Sequence, residues 1–97
     1  MRRTLIFVVL IAVNSTAVFA EGLFGKITWP DGRAARGVTI TIGANSVVTK
    51  TDGDFDFDFI APGQYVLTIG VPGKRSHAER VTIERGQKGE KNFVINW

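Results

Sequence analysis

The feature that most restricts the fold of this chain is a two-residue alternation of apolar and polar side chains. The clearest run is Phe55-Asp56-Phe57-Asp58-Phe59, and Val38-Thr39-Ile40-Thr41-Ile42 repeats the pattern. Because successive side chains of a β-strand point to opposite faces, the first run predicts three aromatic rings on one face and two carboxylates on the other. The spacing of an amphipathic helix is not sustained anywhere after residue 20. The alternation therefore predicts an all-β domain.

Turn-forming residues divide the chain into runs of strand length. Clusters of Gly, Pro, Asn and Asp, which preset turns or tolerate a positive φ, separate the alternating runs. We predict seven strands, near residues 23–29, 37–42, 46–51, 54–59, 64–70, 79–85 and 91–97. Seven short strands with one apolar face each are typical of an antiparallel or mixed β-sandwich, and a small closed barrel is the alternative.

The first twenty residues are predicted to be a signal peptide for the general secretory (Sec) route. A basic head, Met1-Arg2-Arg3, precedes an apolar run over residues 5–13, and Val18 and Ala20 fit the pattern that signal peptidases recognise. We predict cleavage after Ala20. An uncleaved anchor is the alternative, but the apolar run is shorter than the roughly 20 residues that span a bilayer. We therefore expect residues 21–97 to be a secreted or periplasmic domain, without membrane insertion of the mature chain.

Charge and cysteine content exclude several classes of function. The whole chain has 12 Lys and Arg against 9 Asp and Glu, but two of the arginines lie in the predicted signal peptide. The remaining excess is one positive charge, and no basic cluster exceeds the Lys74-Arg75 pair, so we expect no nucleic-acid partner. The absence of cysteine excludes disulfides, thiol catalysis and cysteine-ligated zinc. An aromatic core or a partner must then supply the stability that disulfides give many small exported domains.

Two stretches of the sequence form a series of motifs. The first, residues 25–40, contains an opening strand, an Asp-Gly turn and a glycine that leads into a Val-x-Ile strand. The second, residues 51–69, reads Thr-Asp, Gly-x-Phe-x-Phe and then Pro-Gly-x-Tyr-x-Leu. Together they resemble the carboxypeptidase regulatory-like domain family, and the resemblance covers about residues 24–97. The spacing from Thr51 to Tyr65 is also similar, more weakly, to that in the luminal β-sandwich of ER membrane protein complex subunit 7.

The resemblance implies a fold and a kind of function. It implies a transthyretin-like (prealbumin-like) β-sandwich of the carbohydrate-binding-like fold. Modules of this family are non-catalytic and serve folding, carbohydrate binding or protein contact. In such a sandwich Phe55 and Phe57 fill the core between the sheets, and the Tyr65 hydroxyl finds a partner at a sheet corner.

Four aspartates at every second position, Asp52, Asp54, Asp56 and Asp58, form a candidate calcium site. Calcium prefers several oxygen ligands, and the last three carboxylates of this series project from one strand face, about 6–7 Å apart. A bound ion therefore needs further ligands from a neighbouring strand or loop. The alternative is a solvated acidic face opposite the aromatic core, which also discourages edge-to-edge pairing. We expect the protein to have no cofactor, and calcium is the one ion that the sequence offers as a candidate ligand.

Two aromatic residues are candidates for ligand binding. Trp29 precedes the Pro30-Asp31-Gly32 turn and is predicted to lie at the rim of the sandwich, where an indole ring can stack on a sugar. Tyr65 is the second candidate. The alternative for Trp29 is a filler of the core or of a corner. Trp97 continues the alternation of Phe93 and Ile95 and is predicted to end the last strand.

The sequence predicts that the protein is not an enzyme. His77 is the only histidine, in a run predicted to be a polar loop, so sites that need two imidazoles are excluded. No glycine-rich phosphate loop is present. We expect an exported β-sandwich that acts as an interaction or accessory module in the cell envelope, with an envelope or extracellular protein or a glycan as its partner. A carbohydrate-binding module and a calcium-stabilised structural domain are the alternatives.

Overall fold

The computed structural model describes residues 21–97 as an all-β domain of two sheets. The predicted signal peptide, residues 1–20, lies outside the described residues. The strands are β1 (Gly22–Thr28), β2 (Thr39–Ile42), β3 (Asn45–Val48), β4 (Asp54–Asp58), β5 (Gly63–Gly70), β6 (His77–Ile83), β7 (Lys88–Glu90) and β8 (Phe93–Val94). Residues 21–97 contain no helix, and so none that is long and apolar enough to cross a membrane.

The eight strands form two four-stranded sheets. Sheet 1 has the order β4-β1-β7, and β8 also pairs with β1 beyond β7. β4 is antiparallel to β1, whereas β7 and β8 are parallel to it. Sheet 2 has the order β3-β2-β5-β6, and all its pairs are antiparallel. Two separate sheets, one with mixed and one with antiparallel pairing, are consistent with the predicted sandwich and not with the closed barrel.

The alternation of the sequence directs apolar residues of both sheets into one core. Phe55 and Phe57 are almost fully buried, as predicted, and the Phe55 ring centroid lies 6.2 Å from those of Phe57 and Phe93. The buried hydrophobic residues of the strands are Leu23, Ile27, Phe55, Phe57 and Phe93 from sheet 1, and Ile40, Ile42, Leu67, Ile69, Val81 and Ile83 from sheet 2. Burying one such side chain contributes about 1.5–3 kcal/mol, so this core stabilises the domain without disulfides.

One buried hydroxyl holds the connection between β1 and β2. The Thr49 side chain donates to the Ala35 carbonyl at 2.7 Å and accepts the Val38 N–H at 2.9 Å. Thr49 is the only buried polar side chain of residues 21–97. Both bonds join residues more than ten positions apart in the chain, so no local pattern in the sequence indicated them.

The predicted count of seven strands is wrong, because the last part of the chain forms two short strands. β7 lies in the gap between the predicted strands 79–85 and 91–97, and β8 covers only two residues of the predicted strand 91–97. The segment continues along β1 through a bulge, where Lys91 N–H donates to the Phe24 carbonyl and Asn92 Oδ1 accepts the Lys26 N–H, each at 2.9 Å. Gly25 permits this bulge, because a Cβ there would overlap the Lys91 carbonyl oxygen.

Phe59 does not continue the alternation of β4, so the prediction of three aromatic rings on one face is also wrong. β4 ends at Asp58, Phe59 takes a left-handed φ of 59°, and its side chain is 78% exposed. Ile60 enters the core instead, and its N–H donates to the Glu21 carbonyl at 2.8 Å. Left-handed backbone costs an L-residue about 1–2 kcal/mol, so the turn holds Phe59 outside at an energetic cost.

The energetic cost of the left-handed backbone at Phe59 can be measured as a difference in the free energy of unfolding in urea. We expect Phe59→Gly to be more stable than Phe59→Ala by about 1 kcal/mol, because both variants lose the exposed ring and only glycine adopts a positive φ without strain. Phe59→Ala is the matched control, and we expect it to be within about 0.5 kcal/mol of the parent protein. Equal stability of the two variants would show that the turn stores no strain.

Candidate functional site

The outward side chains of sheet 1 form one surface, here called the charged face. Residues in register on neighbouring strands point to the same face of a sheet and lie side by side. β1 is the central strand, so its outward residues lie between β4 on one side and β7, the following bulge or β8 on the other. The charged face consists of Phe24, Lys26, Asp54, Asp56, Asp58, Lys88 and Glu90.

Lys88 crosses the central strand to reach two aspartates. Gly22 lies between Asp58 and Lys88 in the register, and it has no side chain to block the way. Lys88 Nζ therefore contacts Asp58 Oδ1 at 2.6 Å and also pairs with Asp56. Hydrogen bonds with Asp56 and then Asp58 raise the pKa of Lys88, against the opposing effect of burial. The ammonium group occupies the position between these two carboxylates.

The other two aspartates of the series are held by different partners. Asp54 Oδ1 lies 3.3 Å from Lys26 Nζ, which also donates to the Asp52 carbonyl oxygen at 3.1 Å. Asp52 precedes β4, in the turn that contains Gly53, and its Oδ1 accepts the Asp54 N–H at 3.0 Å. This backbone hydrogen bond lowers the pKa of Asp52. Asp52 thus shapes the turn and lies outside the strand.

Three of the four carboxylates that were predicted to bind calcium, those of Asp54, Asp56 and Asp58, are paired with lysines. Within residues 21–97, no group of three or more His, Cys, Asp or Glu side chains is placed to hold a metal ion. Asp54, Asp56 and Asp58 share one face, as predicted, but an ion between Asp56 and Asp58 would have to displace Lys88. Calcium binding by Asp52, Asp54, Asp56 and Asp58 stays a prediction.

A groove of about 570 Å³ lies over the charged face. Phe24, 38% exposed, and Val94, 47% exposed, give it apolar surface. Its other lining residues are Gly25, Lys26, Thr28, Lys50, Asp54, Phe55, Asp56, Glu90, Asn92 and Phe93. Apolar surface among charged and amide groups suits the binding of a ligand. The sequence analysis did not identify Phe24 as a candidate site residue. Its position in β1 places it on the same face of the strand as Lys26, and Leu23 and Ile27 lie on the opposite face.

The two aromatic residues predicted to bind ligand lie elsewhere. Trp29 follows the last residue of β1, is half-buried and packs against the core. Tyr65 lies near the start of β5, and its hydroxyl donates to the Ala61 carbonyl at 2.7 Å, at the turn where a corner hydrogen bond was expected. Neither residue lines the groove over the charged face. Ligand binding by Trp29 or Tyr65 stays a prediction.

His77 belongs to a strand and not to the predicted polar loop. It is the first residue of β6, and its ring stacks on Trp97 with centroids 4.2 Å apart. His77 Nε2 lies 3.1 Å from Glu79 Oε2. Trp97 lies beyond β8, and its indole nitrogen is buried without a hydrogen-bond partner among residues 21–97. These contacts give His77 and Trp97 a packing role at the side of the sandwich.

The contacts of Lys88 predict a pH-dependent stability. The pKa of Lys88 is raised in the folded protein, so its charge contributes to the free energy of unfolding. This stabilisation is complete below the pKa of an unfolded lysine, about 10.5, and is lost as the pH rises through the higher pKa of the folded protein. Arginine stays charged throughout this range. We expect the free energy of unfolding of the parent, measured in urea, to fall relative to that of Lys88→Arg above about pH 10.5.

Lys50→Arg is the matched control for this experiment. The Lys50 ammonium has no ion-pair partner among residues 21–97, so the exchange is expected to leave the pH profile unchanged. Identical profiles for Lys88→Arg and Lys50→Arg would contradict the role assigned to Lys88.

Comparison with known proteins agrees with the motifs and the fold. The family model described as the carboxypeptidase regulatory-like domain matches residues 22–96. The match begins at the first residue of β1 and includes all eight strands. No significant match is found among curated proteins. The domain of this family is a regulatory, non-catalytic one. The chain belongs to the carboxypeptidase regulatory-like domain family.

Proposed function

We propose that the protein is an exported, non-enzymatic interaction module of the cell envelope, which binds an envelope or extracellular protein. The observation that carries the proposal is the groove over the charged face, with Phe24 exposed on its central strand. Exposed apolar side chains within a concave, otherwise polar surface are typical of sites for protein contact. The family supplies the non-catalytic character of the module.

Phe59 gives the proposal a second support. It is the only residue other than glycine with a positive φ in residues 21–97, and its ring is exposed directly after β4. Strained backbone persists where the surrounding structure over-determines it, and such positions cluster at functional sites. The domain therefore exposes two aromatic side chains in this region, Phe24 on the central strand of sheet 1 and Phe59 directly after β4, outside the lining of the groove.

The predicted signal peptide supports the proposed location. Residues 1–20 contain the basic head, the apolar run and the cleavage pattern of an exported protein. The described domain has no cysteine, so its fold does not depend on oxidation after export.

A carbohydrate-binding module is the second candidate, and the same groove favours it. An aromatic ring flanked by carboxylates and an amide, here Phe24 with Asp54, Asp56 and Asn92, is the composition that a sugar ring requires for stacking and hydrogen bonding. The groove, rather than Trp29 or Tyr65, would then hold the sugar.

The proposal is tested by photo-crosslinking in the native host. A photoreactive phenylalanine analogue replaces Phe24, or in the control Val48, which is exposed on the outer face of sheet 2. We expect position 24 to give one reproducible adduct with an envelope protein identified by mass spectrometry, and position 48 to give none. The protein recovered from the envelope fraction should begin at Glu21.

Two results would count against the proposal. A chain that remains in the cytoplasm with residues 1–20 attached would refute export. An exported chain that forms no protein adduct from position 24, but binds oligosaccharides on a glycan array, would favour the carbohydrate-binding module.

A further inference from the structure

Phe24 lies between two carboxylates on the charged face. It is in register with Asp56 of antiparallel β4 and with Glu90 of parallel β7. Directly opposite residues in a sheet have Cβ atoms about 4.5–5.5 Å apart, so a row of carboxylate, aromatic ring and carboxylate crosses the sheet. All three residues line the groove.

The two carboxylates differ in what neutralises them. Asp56 pairs with Lys88, which lies across Gly22 on the same face. Glu90 is exposed and has no ion pair with any residue in the range 21–97. On the far side of the row, Lys26 is already paired with Asp54. The unpaired charge beside the Phe24 ring is therefore the negative charge of Glu90.

An aromatic face next to a carboxylate attracts a cation. The face of the ring carries negative electrostatic potential, which favours a cation placed over it. A planar guanidinium group fits better than an ammonium group, because it stacks flat on the ring and also donates two parallel hydrogen bonds to a carboxylate. Beside Phe24 an anionic group would be repelled by Glu90, and a neutral sugar would leave the charge of Glu90 uncompensated. Lys50 also lines the groove without an ion pair among residues 21–97, but its N–H donates to the carbonyl of Asp54, which is in register with Lys26 and not with Phe24.

The length of the groove indicates what kind of molecule carries the guanidinium group. The groove follows β1 from Phe24 to Thr28, about 13 Å at the rise of a β-strand, and Val94 provides apolar surface beside its far end. This length holds about four residues of an extended chain. We propose that the groove binds an extended polypeptide segment of the partner, with an arginine over Phe24 paired to Glu90. This inference rests on the proposed function and specifies the chemistry of its partner.

The probe is the peptide acetyl-Thr-Thr-Arg-Thr-Thr-amide, and its counterpart has citrulline, the uncharged analogue, in place of arginine. We expect titration of the protein purified after export to shift the amide NMR signals of Phe24, Lys26 and Glu90. The affinity should fall about fivefold or more with citrulline, with Glu90→Gln and with Phe24→Leu. Glu84→Gln, an exposed acid outside the groove, is the matched control and should bind as the parent does.

The outcomes separate this inference from the proposed function. Equal binding of the arginine and citrulline peptides, or no effect of Glu90→Gln in a variant with an unchanged thermal melt, overturns the arginine site. Shifts of Phe24 with cellotetraose or chitotetraose and not with the peptide identify the groove as a glycan site. If the peptide fails while position 24 still crosslinks to an envelope protein, only the arginine inference is lost. If both fail, the proposed function is lost as well.

Discussion

The pairing of β1 along both of its edges is the constraint on which the rest of the structure depends. β4 pairs with one edge, and β7 and β8 pair with the other. In this arrangement the backbone of β1 closely approaches its neighbours at two glycines. A Cβ at Gly22 would overlap the Phe57 carbonyl oxygen, and a Cβ at Gly25 would overlap the Lys91 carbonyl oxygen. The register then decides which outward side chains are neighbours, and hence the composition of the groove.

The two faces of sheet 1 differ in what they contribute. Each large apolar side chain on the inner face contributes about 1.5–3 kcal/mol by leaving water. Exposed ion pairs such as Lys26 with Asp54 contribute about 0–1 kcal/mol each. The inner face therefore stabilises the domain, whereas the lysine–aspartate pairs mainly position the groups around the groove. Substitutions on the outer face therefore cost the domain little stability, and the residues of that face can be selected for binding.

Much of the fold followed from local sequence patterns. The alternation in residues 55–58 predicted the aromatic core and the shared face of the aspartates, and the Pro-Gly-x-Tyr motif predicted the corner hydrogen bond of Tyr65. The pattern failed at Phe59, where the requirement to reverse the chain into β5 outweighed the alternation. It also failed at residues 86–97, because a bulge and a parallel pairing with distant β1 divide that segment.

The sequence by itself determined the all-β class, the apolar face of each strand and the family, since all three follow from short-range periodicity and turn motifs. Only the tertiary structure decided the candidate site. Phe24, Asp56 and Glu90 are neighbours because three strands from distant parts of the chain pair in one register. Lys88 reaches Asp58 because Gly22 lies between them. Such contacts depend on strand order and register, which no local pattern of side chains specifies.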